Sequence, residues 1–209
     1  MRRVVVHPTF QYERDLISQG FRAIVGVDEA GCGALAGPLV AAAVIFPLDS
    51  RLGRVRDSKL LSPNRRDELY EDIIERATAW STGVVSVAEI TTLGLRPANL
   101  LAMKRAVDGI AGVDYALVDA WTIPDLMIPQ QGIIRGDRYV KSIAAASVIA
   151  KVTRDHMMIE LNNQFPQYGF DIHKGYGTKL HQAAIQTHGP CLAHRMTFKT
   201  FAAVVENPT

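Results

Sequence analysis

The stretch that most restricts the fold of this chain lies at residues 24–38, IVGVDEAGCGALAGP. Its first four residues are apolar and include three β-branched side chains, which predicts a short buried strand. The strand ends in two adjacent carboxylates, Asp28 and Glu29, and a turn containing Gly31 and Gly33 follows at once. Because neighbouring side chains on a strand point to opposite faces, the two acids cannot both face the core. Two acids beside backbone freed by glycines suit a divalent cation and a phosphate held next to each other.

Two other interpretations apply to the same residues. An acidic pair beside glycines is also typical of a solvated turn, and the pattern alone leaves that open. Residues 31–36 fit the loose G-x-G-x-x-[GA] fingerprint of dinucleotide-binding folds. That fingerprint needs a helix to begin at the glycines, whereas Gly37 and Pro38 interrupt the chain and residues 39–46 predict a second buried strand. The context therefore argues against dinucleotide binding.

Length and composition predict a single α/β domain over residues 1–209. Apolar content of 48% and charged content of 21% are ordinary, and a net charge of +2 does not by itself indicate nucleic-acid binding. The longest apolar run, residues 39–46, is far shorter than the ~20 residues of a membrane span, and no secretory signal is evident. Two cysteines, Cys32 and Cys191, form no disulfide framework. We therefore expect a reduced, cytoplasmic protein with no membrane partner.

Apolar periodicity and helix-start signals predict helices and strands that alternate along the chain. Ser62 followed by Pro63 is a good helix start, and Pro97 predicts another. The predicted helices cover residues 10–18, 63–77, about 97–109, 141–163 and 178–187. The predicted strands cover residues 24–29, 39–46, 80–90, 115–119 and 131–135. With the first two strands joined by a tight turn, this order indicates an α/β domain with a mixed sheet.

Four carboxylates end or follow predicted strands, namely Asp28, Glu29, Asp119 and Asp137. Because ligands of open α/β sheets bind at the carboxyl ends of strands, these acids can converge at one edge. Four uncompensated carboxylates repel one another, so such a cluster persists when cations neutralise it. Oxygen-only ligands favour Mg²⁺ or Mn²⁺ over zinc, and two such ions about 4 Å apart would suit phosphodiester hydrolysis without a protein nucleophile. Acids at strand ends are also ordinary turn residues, which leaves Asp119 and Asp137 open.

Several longer motifs follow one another along the chain. They are VDEAGCG at residues 27–33, DSKL at 57–60, GD with SIAAASVIAKVTRD within 136–155, YGF with HKGYGT within 168–178, and GP with HR within 189–195. Together they resemble the motifs of the type 2 ribonucleases H, specifically bacterial ribonuclease HII, over most of the chain. The first resembles the D-E-A-G-R-G signature of that family and the second its D-S-K-x-L element. Several long motifs in the right order form a far more specific signal than any one of them.

This resemblance implies a ribonuclease H-like mixed sheet flanked by helices, with a C-terminal helical extension over about residues 165–209 that binds substrate. It implies an endonuclease of DNA replication and repair that cuts the RNA strand of RNA–DNA hybrids. Such an enzyme also incises 5′ of single ribonucleotides embedded in duplex DNA and leaves 5′-phosphate and 3′-hydroxyl ends. By the same resemblance, Mg²⁺ or Mn²⁺ is the cofactor, and the catalytic and metal-binding acids are Asp28, Glu29, Asp119 and Asp137. We expect a monomer, with recruitment by a sliding clamp left open.

The resemblance also gives candidate substrate contacts, namely Gly31, Cys32, Gly33, Tyr176, Lys59 and Lys174. Tyr176 would pack against the sugar of the ribonucleotide and help to sense its 2′-OH, the group that distinguishes RNA from DNA locally. Lys59 and Lys174 would contact phosphates, with plain surface solvation as the other interpretation.

Cys32 departs from the family pattern, which usually has arginine at this position. The flanking glycines remain, so backbone N–H groups can still approach substrate, but a fixed positive fork near the scissile phosphate is lost. We expect weaker binding or relaxed discrimination with the chemistry intact. The alternative is a catalytically weakened protein that binds RNA–DNA hybrids. A redox-sensitive Cys32 would require a favoured thiolate.

Histidines are frequent near the end of the chain, at His173, His181, His188 and His194. Their spacings fit no usual zinc pattern. We therefore expect structural or hydrogen-bonding roles for them.

Overall fold

The computed structural model describes residues 7–50, 55 and 62–201. Its helices, in chain order, are α1 (Gln11–Ser18), α2 (Pro63–Arg76), α3 (Val87–Leu93), α4 (Leu95–Asp108), α5 (Lys141–Gln164), α6 (Phe170–His173) and α7 (Lys179–His188). Its strands are β1 (Ile24–Ala30), β2 (Leu39–Ile45), β3 (Ala79–Val85), β4 (Tyr115–Asp119) and β5 (Gln130–Ile133). Short 3₁₀ turns cover Gly136–Arg138, Pro166–Tyr168 and Lys199–Phe201.

In the described part of the chain, the five strands form one sheet with the spatial order β3-β2-β1-β4-β5. The pairs β1–β2 and β2–β3 are antiparallel, whereas β1–β4 and β4–β5 are parallel. This mixed sheet with flanking helices confirms the predicted fold class. The tight turn expected between β1 and β2 is wrong, because residues 31–38 form a longer loop there. We call residues 31–38 the glycine loop.

Helices cover both faces of the sheet, so the core has two apolar layers. On one face, Val25 and Val27 of β1 belong to the same buried cluster as Met103 of α4. On the other face, Val44 of β2 packs in a cluster with Ile149 of α5. Successive residues of β1 therefore alternate between the α4 and α5 sides.

Helix α5 approaches the sheet closely where it crosses Gly26 of β1. A Cβ atom added at Gly26 would lie 2.4 Å from the carbonyl carbon of Ser142. The first half of α5 is made largely of small residues, and residues 142–150 are all buried. The small side chains explain how the helix backbone comes this near, and the same face of β1 carries Asp28. The close approach therefore places α5 directly beside Asp28.

The predicted strand over residues 80–90 is wrong in its second half. β3 ends at Val85, and α3 begins after Ser86. The Ser86 hydroxyl accepts a hydrogen bond from the N–H of Glu89, and the Glu89 carboxylate accepts one of 2.9 Å from the N–H of Ser86. This capping box starts a helix where the apolar pattern favoured an extended chain.

Smaller differences concern the ends of elements. α4 begins at Leu95, two residues before Pro97, because proline is tolerated anywhere in the first turn of a helix. β5 ends at Ile133, and Arg135 has a positive φ of 57° that ends the extended chain. Within the described ranges, no helix is both long and apolar enough to cross a bilayer.

We predict that Gly26→Ala destabilises the protein by roughly 1–3 kcal/mol, because the added methyl group overlaps the backbone of α5 at Ser142. Urea unfolding followed by circular dichroism measures this loss. Gly33→Ala is the matched control, since a Cβ at Gly33 meets no atom within 4 Å. Equal stabilities for the two variants would show that the approach of α5 to β1 does not limit the side chain at position 26.

Candidate active site

The carboxyl ends of two neighbouring parallel strands carry acids side by side. The last paired residues of β1 and β4 are Val27 and Val118. Asp28 and Asp119 come one residue further along each strand, and Glu29 follows Asp28 on the opposite face of β1. Three of the four predicted acids therefore lie at one edge of the sheet.

Asp28 is the most buried of these acids, with 4% exposure. Its carboxylate accepts a 2.7 Å hydrogen bond from the N–H of Glu29 and is also hydrogen-bonded to the side chain of Ser147 on α5. Burial raises the pKa of Asp28 well above its usual range, and the negative charges of Glu29 and Asp119 raise it further. A compensating positive charge would therefore stabilise the ionised form.

Asp137 reaches the same edge by a different route. It lies in the 3₁₀ turn Gly136–Arg138 that leads into α5, and the N–H of Gly136 donates a 2.7 Å hydrogen bond to Asp119 Oδ1. A Cβ at Gly136 would lie 2.6 Å from Ile143 Cδ1 and 3.4 Å from Asp119 Oδ1, so glycine allows this close approach. Asp137 therefore directly follows Gly136, the residue that contacts Asp119.

The donor chemistry of this edge fits a hard divalent cation, because the converging groups are carboxylates. Within residues 7–50, 55 and 62–201, however, no three His, Cys, Asp or Glu side chains are positioned together as a metal-binding group. The acids are close enough to shift the pKa of Asp28, yet they do not form a preassembled coordination sphere.

The glycine loop and α5 border a cavity of about 350 Å³ next to the acids. Its walls include Glu29, residues 31–33, Ser147, Lys151 and Tyr176. The cavity therefore joins one of the predicted acids, Glu29, to the predicted glycine motif and the predicted tyrosine.

Arg195 holds the glycine loop through its backbone. It is completely buried, and its guanidinium donates to the carbonyl oxygens of Gly31 (2.7 Å), Cys32 (3.3 Å), Gly37 (2.9 Å) and Pro38 (3.0 Å). Burial lowers the pKa of Arg195 to about 10, so the side chain remains charged at neutral pH.

Arg154 of α5 contributes a second buried guanidinium. It donates to the carbonyl oxygens of Pro38, Ala36 and Lys174, each 3.0 Å away. A Cβ at Gly31, which has a φ of +97°, would lie 2.1 Å from Arg154 Nε, so only glycine leaves room for the arginine. We call Arg154 and Arg195 the arginine pair.

The Cys32 side chain faces Glu29, and its Sγ lies 3.6 Å from Glu29 Oε1. Burial and the negative charge of Glu29 raise the pKa of the Cys32 thiol to about 12. The thiolate that a redox-sensitive Cys32 would require is therefore disfavoured.

Tyr176 is half-buried at the cavity wall, with its ring 5.5 Å from Lys151 Nζ and 5.3 Å from Arg154 Cζ. The predicted phosphate contact Lys174 is different, because its ammonium group donates to the carbonyl oxygen of Asp171 and it is not among the cavity-lining residues. The other predicted phosphate contact, Lys59, lies outside the described residues.

Four residues that build this site were not predicted as such, namely Ser147, Lys151, Arg154 and Arg195. Ser147 and Lys151 are four apart on α5 and so share one face, a spacing that the sequence does show. Both members of the arginine pair fall within the family motifs, but no local pattern indicates their role, because most of their acceptors are carbonyl groups more than a hundred residues away.

The histidines make hydrogen bonds within the C-terminal region. His173 and His181 bond to the carbonyl oxygens of Tyr168 and Tyr176, and His181 also bonds to His194. These three are buried, whereas His188 is exposed.

The five-stranded mixed sheet with its flanking helices is the fold of the ribonuclease H class. The chain resembles the ribonuclease H2 of Pyrococcus horikoshii OT3 with a TM-score of 0.74 and 23% identity over 88% of this chain and 97% of that one. It resembles Bst-RNase HIII, solved in complex with Mn²⁺, with a TM-score of 0.70 and 18% identity over 90% and 70% of the two chains. The ribonuclease HII of Archaeoglobus fulgidus, solved with PCNA, gives a TM-score of 0.66 and 26% identity over 87% and 96%.

The sequence model of the ribonuclease HII family matches residues 25–201, so the chain belongs to that family. It is 48% identical over 194 residues to ribonuclease HII of Acidothermus cellulolyticus, covering 91% of this chain and 63% of that longer relative. It is 45% identical over 190 residues to ribonuclease HII of Caldicellulosiruptor saccharolyticus, covering 90% of this chain and 93% of the relative. These comparisons confirm the family resemblance and ribonuclease H activity.

We predict that the protein loses stability as the pH falls from about 6.5 towards 4, in part because His194 must remain neutral. Burial, followed by the proximity of His181, lowers the pKa of His194 to about 4. The unfolded chain, with an ordinary histidine pKa of about 6.5, therefore binds a proton in this window that the folded chain does not, and stability is fully present only above it. The full effect of this one group is about 3 kcal/mol.

Urea unfolding at a series of pH values measures this effect in the parent and in His194→Gln. The stability difference between the two should be largest near pH 7.5 and shrink by pH 5. His156→Gln is the control, because it removes an exposed histidine of α5 and leaves the buried histidines in place. A difference that stays constant with pH would contradict the prediction.

Proposed function

We propose that this protein is an endonuclease that hydrolyses the RNA strand of RNA–DNA hybrids and incises 5′ of single ribonucleotides embedded in duplex DNA. The observation that carries the proposal is the acidic edge of the sheet: burial, and then the charges of Glu29 and Asp119, raise the pKa of Asp28, and Glu29 lines the cavity bordered by the glycine loop. Carboxylates repel a polyanionic substrate unless bound cations neutralise them, and phosphodiester hydrolysis at such sites uses these cations. Family membership supports the same reaction.

We assign Asp28, Glu29, Asp119 and Asp137 as the catalytic acids that would hold Mg²⁺ or Mn²⁺. The oxygen-only donor set supports this choice, and Bst-RNase HIII, which shares the fold, has been solved with Mn²⁺. Such ions, when bound, would neutralise the acids and supply Lewis-acid stabilisation to phosphodiester hydrolysis. Ser147 hydrogen-bonds Asp28, and the N–H of Gly136 orients Asp119, so both carboxylates are already directed by the protein.

The remaining walls of the cavity would bind and orient the nucleic acid. The exposed backbone of Gly33 allows close approach of a sugar or phosphate, since nothing lies within 4 Å of its missing side chain. Tyr176 would pack against the ribonucleotide sugar, and Lys151 places an ammonium group on the same wall. Gly31 and Cys32 would contribute through their backbone, while Lys59 and Lys174 remain proposed phosphate contacts.

We further propose a cytoplasmic monomer that acts in ribonucleotide removal during DNA replication and repair, with residues 165–209 as a substrate-binding extension of a single domain. Recruitment by a sliding clamp is a proposal supported by the PCNA complex of the Archaeoglobus fulgidus relative.

We predict that Asp119→Asn abolishes cleavage, because it removes one of the carboxylates assigned to hold the cations. Binding of the duplex should persist, because the loss of a negative charge lessens repulsion of phosphates without changing the shape of the edge. A labelled duplex with one embedded ribonucleotide, incubated with Mg²⁺ or Mn²⁺, reports cleavage, and a mobility shift reports binding. Asp108→Asn is the matched control, since Asp108 is an exposed partner of Lys104 on α4. Turnover of Asp119→Asn within a few-fold of the parent, or parental cleavage that survives EDTA, would contradict the assignment.

The alternative of a weakened hybrid-binding protein depends on Cys32, and we predict that Cys32→Arg lowers the apparent KM severalfold. A guanidinium beside the scissile phosphate adds an attraction that the neutral thiol lacks. Steady-state kinetics on the same duplex measure it, with Cys32→Ser separating loss of the thiol from gain of charge. An unchanged KM would show that the side chain of residue 32 does not contribute to substrate binding. A parent protein that binds the duplex without cleaving it would favour the weakened hybrid-binding protein.

A further inference from the structure

Three buried histidines pack beside the turn that carries Tyr176. His173, His181 and His194 are each at most 8% exposed. The rings of His173 and His181 stack with their centroids 4.3 Å apart, and the Nε2 atoms of His181 and His194 are 3.1 Å apart. We call these three side chains the histidine relay.

The partners of the histidine relay fix the direction of its hydrogen bonds. The carbonyl oxygen of Tyr176 can only accept, so His181 donates to it from Nδ1 over 3.0 Å. Neutral His181 must then accept at Nε2, which makes His194 Nε2 the donor of the bond between them. His194 Nδ1 remains as an acceptor, and the N–H of Cys191 donates to it over 2.9 Å. The relay therefore runs in one direction, from the backbone of Cys191 to the backbone of Tyr176.

His173 follows the same logic on the other side of the turn. Its Nε2 lies 2.8 Å from the carbonyl oxygen of Tyr168 and must donate, so its Nδ1 accepts a 3.2 Å hydrogen bond from the N–H of Gly175. Each ring of the relay thus has one tautomer that satisfies both of its nitrogens. No ring nitrogen is left to bind a ligand, so the geometry indicates support of the turn.

The turn itself adopts a backbone that requires such support. Lys174 and Gly175 have positive φ angles of 52° and 78°, and the first is uncommon for a residue with a side chain. A Cβ at Gly175 would lie 2.5 Å from the carbonyl oxygen of Ala36, and the N–H of Leu35 donates to Gly175 over 2.8 Å. The turn is therefore pressed against the glycine loop on one side and held by the histidine relay on the other.

We propose that His181 is a positioning residue for recognition of the ribonucleotide, acting through the peptide group of Tyr176. The Tyr176 carbonyl accepts from His181 Nδ1 and, over 2.8 Å, from the N–H of Thr178, and two donors from different directions fix the peptide plane. That plane sets the direction in which the Tyr176 ring enters the cavity, where displacement by about 1 Å is enough to lower a rate substantially. The inference rests on the proposed function, in which Tyr176 packs against the sugar.

Two substitutions of His181 separate the donor to Tyr176 from the rest of the ring. The amide nitrogen of His181→Asn is attached at the same distance from Cβ as Nδ1 and can still donate to Tyr176. The amide nitrogen of His181→Gln lies one bond further out, as Nε2 does, and cannot. We expect His181→Gln to lower kcat/KM on a duplex with one embedded ribonucleotide about tenfold or more, and His181→Asn to recover most of that loss. Thermal unfolding of both variants shows whether they are equally folded at the assay temperature.

A double-mutant cycle with Tyr176→Ala tests whether His181 acts through Tyr176. We expect His181→Gln to cost little further activity once the Tyr176 ring is absent, while His156→Gln on the exposed face of α5 leaves both backgrounds unchanged. If Tyr176→Ala alone retains parental kcat/KM, the proposed role of Tyr176 is wrong and the inference fails with it. If Tyr176→Ala lowers kcat/KM but the two His181 variants behave alike, or their losses add to that of Tyr176→Ala, the positioning role alone is overturned.

Discussion

The hydrogen bonds from the arginine pair to the glycine loop are the interaction on which the candidate site depends. Arg154 and Arg195 bring two positive charges into a buried position and use carbonyl oxygens as acceptors. Burying a guanidinium is costly unless its donors are paired, and here the loop supplies a carbonyl for most of them. In return the loop, which lacks regular secondary structure, acquires one shape. That shape borders the cavity beside Asp28 and presses against the turn that carries Tyr176.

Because the arginine pair binds the backbone, the shape of the glycine loop is insensitive to most of its side chains. The exceptions are positions where a Cβ would strike another group, as at Gly31 against Arg154 and at Gly37 against Met158. Residue 32 is not one of these, since only its carbonyl oxygen contacts Arg195. The identity of the side chain at position 32 therefore does not enter the hydrogen bonds that hold the loop.

The sequence was sufficient to predict most of the strands and helices and the acids at the strand ends, because these follow from local patterns. The mixed sheet was also predicted, although the tight turn expected after β1 is a longer loop. The apolar run before Asp28, the small residues of α5 and the proline at the first position of α2 each indicate their structure through a few neighbouring residues. The strand predicted over residues 80–90 failed although its signal was also local, since the Ser86–Glu89 capping box outweighed the apolar pattern. The arginine pair could not be found in this way, because a basic residue bound to distant carbonyl groups resembles any surface arginine in the sequence.

The histidine relay shows the same limit for hydrogen-bond direction. Spacing could exclude a zinc pattern, but which nitrogen of His181 donates depends on the carbonyl oxygen of Tyr176 and on the ring of His194. These partners come from the turn after α6 and from the segment after α7, so only the folded chain brings them together. Candidate substrate contacts can thus be proposed from sequence motifs, whereas the residues that hold them in place are identified only in the folded structure.

The position of Arg195 near the end of the described chain has a consequence for biosynthesis. Its contact with Gly31 joins residues 164 positions apart, so the glycine loop is completed only after residue 195 has left the ribosome. The sheet and α5 can assemble earlier, because their strands and helix precede residue 165. A nascent chain that has not yet emerged as far as residue 195 would therefore contain the acids and the strands that carry them, yet lack the contact that shapes the glycine loop.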